Sequence, residues 1–322
     1  MFQERNLPMD KTSVPSDGSP AQRPDYLGMA KGPVVIRLTN DYLFHVLLQY
    51  DNEALKGFIC ALLRLKAGQV KSVVVINPIE LGASIEAKDF ILDIKVLLND
   101  RAIINLELQV INQHNWPERS LSYLCRAFDN LNPGEGYQMV KPVIHIGLLD
   151  FTLFPQLPEF YATYQLLNIK NHMLYSDKLQ LSVVDLTHID LATQEDMQHG
   201  IDRWAAFFKA ATWEEIKMIA QRDENIAKAA NTICKLSQED KIRLQCEARE
   251  DYYRCQRDME NYMNKQAGII AQRESVIAGQ ERVMAQQKGM IAQQAELLSE
   301  KDSTIEALKA ELERLKGKAH QE

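Results

Sequence analysis

Along the first two thirds of this chain the spacing of apolar residues keeps changing; after that it stops changing. Up to about residue 210, segments with apolar residues three and four apart alternate with short β-branched runs. From Trp213 onward no strand-like run occurs. Such a chain packs helices against a sheet in its first part and has only helix available in its second.

The alternation can be read segment by segment. Asn40–Leu48 carries Leu43, Phe44, Leu47 and Leu48 at helical spacing, with Thr39 or Asn40 as its N-cap, and a second helix follows over Glu53–Leu65. Val70–Ile76 reads as a strand stopped by Asn77-Pro78. Phe90–Leu98 and Ala102–Val110 flank Asn99-Asp100, a two-residue hairpin signal that predicts an antiparallel pair. Trp116–Leu131, with Pro117 in its first turn, returns to helix. Val143–Phe151 is apolar throughout, as in a strand covered on both faces. Phe160–Leu167 and Leu179–Leu186 read as two further strands, and a helix over Gln194–Ala210 closes the region. The order predicts an α/β domain over 34–210 with helices on both sides of a mixed sheet, its strand order left open.

The flanks differ from this core. Residues 1–33, rich in Pro, Ser, Asp and Gln, read as a disordered lead-in, with structure starting near Val34. Residues 211–263 form a charged helical extension. Over 264–317, before a short tail at 318–322, Ile270, Ile277, Met284, Ile291, Leu298, Ile305 and Leu312 recur every seven residues. The position three later is Arg273, Gln280, Gln287, Gln294 and Lys301 before it becomes Leu308 and Leu315, so the seam is polar first and firmer at its end. This pattern predicts a coiled coil and a homo-oligomer; the alternative is a long solvated helix.

Composition narrows the function classes. A hydrophobic share of 46% is too high for a wholly disordered chain, and no run approaches the eighteen apolar residues of a membrane span. The net charge of -7 excludes the broad basic footprint of a passive nucleic-acid binder. It leaves open an enzyme that meets phosphate through metal ions. Met1–Lys31 lacks the basic and apolar regions of a secretory signal. Cys60, Cys125, Cys234, Cys246 and Cys255 are scattered and odd in number, so a reducing, cytoplasmic setting is expected.

The hairpin carries the candidate chemistry. Glu107 and Gln109 lie two apart on a strand and share a face, while Leu106, Leu108 and Val110 point the other way. Asp93 sits on the preceding strand, with Lys95 on its face. Closely spaced carboxylates on an apolar sheet repel one another unless a cation lies between them, and Mg²⁺ favours carboxylate oxygen. A half-exposed strand also carries acids routinely, so the spacing alone admits a merely wet sheet face. Around this pair stand Asp41 at the start of the first helix, Asn77, and a helix face of Arg119, Ser122, Tyr123 and Arg126. Arg119 reads as a holder of phosphate or of a site acid, or as a plain surface arginine. His45 and His114 read as a satisfied helix residue and a loop residue.

The segments TNDYLFHVLL (39–48), FILDIKVLLND (90–100), INLELQV (104–110), WPERSLSYLCRAF (116–128) and YQMVKPVIHIGLLDF (137–151) together resemble the recombination-promoting nuclease/putative transposase family of the PD-(D/E)XK nuclease superfamily. The resemblance covers most of residues 37–210 and implies a three-layer α/β/α restriction-endonuclease-like core, followed here by the helical extension and coiled coil. It also implies Mg²⁺-dependent cleavage of DNA, with Mn²⁺ as a substitute. By position, Asp93 and Glu107 match the metal-binding acids and Gln109 stands where the superfamily often has lysine. Asp41 matches the first-helix acid; Arg119 and Tyr123 match the helix motif after the core. His45 departs from the lysine common after Phe in that helix. Gln109 cannot act as a base, so water activation would fall to the ion, with Gln109 orienting water or a phosphate oxygen and the Leu108 carbonyl as a third ligand. The rival reading is a nuclease-like scaffold that binds DNA or assembles through its tail without cutting.

Overall fold

In the computed structural model, which describes residues 25–79 and 93–319, the hairpin forms around the expected turn but with one more residue. Asn99 and Asp100 both adopt left-handed backbone, at φ 51° and 56°, and the Arg101 N–H donates to the Leu98 carbonyl at 2.9 Å. The strands β2 (Ile94–Leu98) and β3 (Ala102–Gln109) pair antiparallel in the register Leu98↔Ala102 to Ile94↔Leu106. Arg101 is therefore the extra residue, and the connection is three residues long where the sequence reading has two. Phe90–Leu92 of the expected strand lie outside the described residues.

Six strands form one mixed sheet in the order β1-β2-β3-β4-β6-β5. The edge strand β1 (Val73–Val75) runs antiparallel to β2. β4 (Val143–Leu149) lies parallel to β3, and β6 (Leu179–Asp185) parallel to β4. β5 (Tyr161–Gln165) closes the other edge antiparallel to β6.

Helices cover both faces. The short helix α1 (Tyr26–Met29) precedes α2 (Asp41–Tyr50) and α3 (Asn52–Leu62), each N-capped by an Asn or Asp side chain. α2 and α3 share one core with the even-numbered side of β3, including Ile104, Leu106 and Leu108. On the opposite face α4 (Trp116–Phe128) packs Trp116 and Leu124 on Val143, Leu149, Leu181 and Val183. Gly147 makes this close approach possible, because a Cβ there would overlap the Trp116 ring. This is the expected three-layer α/β/α arrangement.

The expected helix over Gln194–Ala210 is two helices, α5 (Gln194–His199) and α6 (Ile201–Lys209), parted by Gly200 at φ 78°. Left-handed backbone at that position ends one helix and re-aims the next, so Trp204 and Phe208 reach the rings of Phe44 and Phe58.

Two expected boundaries move. Residues 25–33 are structured: Asp25 caps α1, the Leu27 N–H donates to Asn231 at 3.1 Å, and Lys217 donates to the carbonyls of Gly28 and Ala30. Tyr26 and Leu27 pack on the core, an apolar contribution that a polar average hides. Residues 1–24 lie outside the described part, as do 320–322 of the tail. The charged extension also joins the core. α7 (Trp213–Ala220), α8 (Glu224–Leu236) and the start of α9 (Asp240–Ala319) contribute Ile216, Ile226, Ile233, Ile242 and Cys246 to it.

One compact unit ends at Tyr253, and a second comprises Arg254–Glu322. The second unit is helical to Ala319, and its apolar heptad positions from Ile270 to Leu312 are exposed, Ile291 by 64%. The Leu315 side chain lies outside the described residues. Among the described residues, no helix is long and apolar enough to cross a membrane.

Candidate active site

The register of the hairpin decides which side chains meet. Asn77 receives the Lys95 N–H (2.6 Å) and donates to the Asp93 carbonyl (2.8 Å), so the odd-numbered backbone groups of β2 face β1. Ile94 and Leu106 therefore form a hydrogen-bonded pair. Continued one step, that register sets Asp93 opposite Glu107 at a non-hydrogen-bonded position, where facing side chains share one face of the sheet. That face belongs to α4. Asn77 thus sits behind the site, as a brace for the backbone of Asp93.

Both acids are buried, Asp93 at 6% exposure and Glu107 at 4%. Burial raises the Asp93 carboxyl above its usual range against the pull of Lys95 and Arg119. Glu107 is raised from 4.5 to about 7, chiefly by burial; Arg119 pulls it down, while the charges of Asp93 and Asp41 push it up. Arg119 holds one oxygen of Glu107 at 2.7 Å and lies over the Tyr123 ring. The other oxygen, Oε2, is buried without a hydrogen-bond partner among the described residues.

Gln109 follows on the same face. Its Nε2 donates to the Ile111 carbonyl at 3.0 Å, which leaves Oε1 buried and unpartnered. The group it presents is thus an acceptor. An acceptor there suits a water or a cation. The Gln109 carbonyl accepts from the Asp150 N–H on the β4 side, so the Leu108 carbonyl, one residue earlier, points toward the β2 side past the last described pair.

Glu107, Leu108, Gln109 and Arg119 line a cleft of about 80 Å³ together with Asp41, Arg249, Tyr252 and Tyr253. Asp93 stands outside that lining. Asp41 does enter the site, but its carboxylate is occupied. Arg249 grips it with two nitrogens, Nε on Oδ1 at 2.8 Å and Nη2 on Oδ2. The guanidinium lies 4.9 and 5.1 Å from the rings of Tyr252 and Tyr253. The neighbouring Asn40 donates to the Cys246 carbonyl at 3.0 Å. Asp41 therefore ties α2 to the start of α9, across a sequence gap that no local pattern reveals.

Two more polar residues reach the acids without having been singled out from the sequence. Asn105, two before Glu107 on its face, and His145, the polar residue of an apolar strand, are both fully buried and 2.9 Å apart. Burial holds the His145 imidazole neutral, down to about 4. His45 is buried in α2; His114 is an exposed loop residue, and Ser122 and Arg126 stay on the surface of α4.

Among the described residues, no group of three or more His, Cys, Asp or Glu side chains gathers as a metal cage. The donor set is two acids supplemented by amide and backbone oxygen. These hard oxygens, two of them buried without partners, fit a small divalent cation.

No curated protein and no solved structure matches the chain. The family model of PD-(D/E)XK nuclease family transposases matches residues 38–266, more than half of the chain and all of the cleft residues. With the sheet, its flanking helices and the paired acids in place, the chain belongs to the PD-(D/E)XK nuclease family transposases.

Proposed function

We propose that the protein is a metal-dependent DNA endonuclease that hydrolyses phosphodiester bonds in recombination or transposition. Family membership ties it to nuclease and transposition-related function. The observation that carries the finer reading is the burial of two like charges opposite one another, with a Glu107 oxygen and a Gln109 oxygen left unpartnered beside them. Burying such atoms costs several kcal/mol unless a cation or donor completes them.

Asp93 and Glu107 would hold Mg²⁺ or Mn²⁺, with the Leu108 carbonyl as a further ligand. Bound there, the ion supplies Lewis-acid chemistry to water and to phosphate oxygen. Gln109 Oε1 accepts a hydrogen bond from the attacking water and sets its orientation. Arg119 is held by Glu107 and Tyr123 at the cleft wall, where its guanidinium would meet an incoming phosphate. Asp41 shapes the wall through Arg249 and does not ligate. Self-association through the exposed heptad positions of α9 would add avidity to a chain whose net charge opposes DNA.

One observation favours the rival, non-cutting scaffold: Arg119 already neutralises Glu107 at 2.7 Å, and the site has no lysine where Gln109 stands. Plasmid nicking decides between them. Cutting that requires Mg²⁺ or Mn²⁺ and is lost in Asp93→Ala and Glu107→Ala is the expected result. Metal-independent binding without cutting, unchanged in both variants, would establish the scaffold.

A further inference from the structure

We propose that Asn105 and His145 form one positioning unit that orients Glu107; the proposal rests on the metal-site reading above. Asn105 stands opposite Lys95 on β2 and beside His145 on β4, one step along the polar face from Glu107. Its Nδ2 lies 2.9 Å from His145 Nδ1. The opposite tautomer would set a bare His145 Nε2 against the Glu107 carboxylate, so the NH₂ group of Asn105 faces Nδ1.

The consequence falls on the histidine. An amide nitrogen only donates, so His145 Nδ1 accepts, and the ring proton of the neutral imidazole resides on Nε2. Nε2 points at Glu107 Oε2 from 3.8 Å. Both atoms are buried and lack a hydrogen-bond partner among the described residues. A movement of the Glu107 carboxylate by roughly 1 Å brings the two within hydrogen-bond range. The ring itself is held: Trp116 lies against it at 5.6 Å and Tyr123 stacks on it at 6.2 Å.

One buried amide thus fixes the tautomer that offers Glu107 a donor. Arg119 holds Oε1 of Glu107, and His145 is placed to hold Oε2. Neither Asn105 nor His145 touches metal or substrate in this arrangement; they act through Glu107.

The full chain tests this in two ways. Ring ¹⁵N shifts of His145, assigned with His145→Gln, should report a protonated Nε2 and a bare Nδ1 in metal-free protein. A proton on Nδ1 would overturn the proposal, whether or not any variant folds. Mn²⁺ binding followed by electron paramagnetic resonance supplies the second arm. His145→Phe keeps the ring contacts and removes the donor, and should weaken Mn²⁺ binding about 10- to 100-fold. His145→Gln, which can direct an N–H at Glu107, should recover most of the loss. Wild-type affinity in the Phe variant overturns the positioning role alone. A wild-type chain that binds no Mn²⁺ overturns the metal site, and this inference with it.

Discussion

Replacing Glu107 with glutamine should make the metal-free protein more stable while abolishing its metal site. The Glu107 carboxyl stands at about 7 in the fold against 4.5 when free. At ~1.4 kcal/mol per unit, the folded protein carries a penalty of about 3 kcal/mol for ionising it. The sign follows from proton counting. Between pH 4.5 and 7 the folded state retains a proton that the unfolded chain has released, so this group lowers stability as pH rises through that window and leaves the deficit in place above it. Glutamine removes the charge and keeps an oxygen for Arg119, though Arg119 then loses an ionic partner. The net gain expected at pH 8 is therefore about 1–3 kcal/mol, smaller than the full penalty. Urea denaturation with EDTA at pH 8 and pH 5 measures it. Glu107→Gln should unfold at higher urea at pH 8, and the gap should shrink markedly at pH 5. A variant less stable than wild type at pH 8, or a gap that ignores pH, would refute the claim that Glu107 is held against its own desolvation. Added Mn²⁺ should stabilise the wild type and leave Glu107→Gln unchanged.

Other parts of the fold make separate predictions. Arg249→Met leaves Asp41 charged and buried and should cost about 3–5 kcal/mol in urea denaturation, whereas Asp41→Leu combined with Arg249→Met should recover most of that loss. Sedimentation should show the full chain as an oligomer that Ile277→Asp with Ile291→Asp dissociates; equal masses would remove the coiled coil.

What the residues determine locally is legible without coordinates, because it depends on neighbours a few positions apart. The spacing of apolar residues places the helices and strands, Asn99-Asp100 supplies a left-handed turn, and the alternation of Glu107 and Gln109 with Leu106 and Leu108 sorts polar from apolar faces. The motif segments carry the family as well, since their order along the chain is itself a sequence property.

The meeting of the acids is a different matter. A two-residue loop pairing Leu98 with Arg101 would set Asp93 opposite Leu106 and turn it to the far face; the extra residue, Arg101, brings it to Glu107. One-residue shifts of that kind are settled by the packing of a whole sheet, where the even-numbered side of β3 must meet the core under α2 and α3. Arg249 on Asp41, and His145 on Asn105, are contacts between residues 208 and 40 apart. They exist because α9 returns to the start of α2 and because β4 lies in parallel register beside β3. Only the tertiary structure decides such encounters, since the free energy that selects them comes from burial shared across the core and is not encoded in any short stretch of chain.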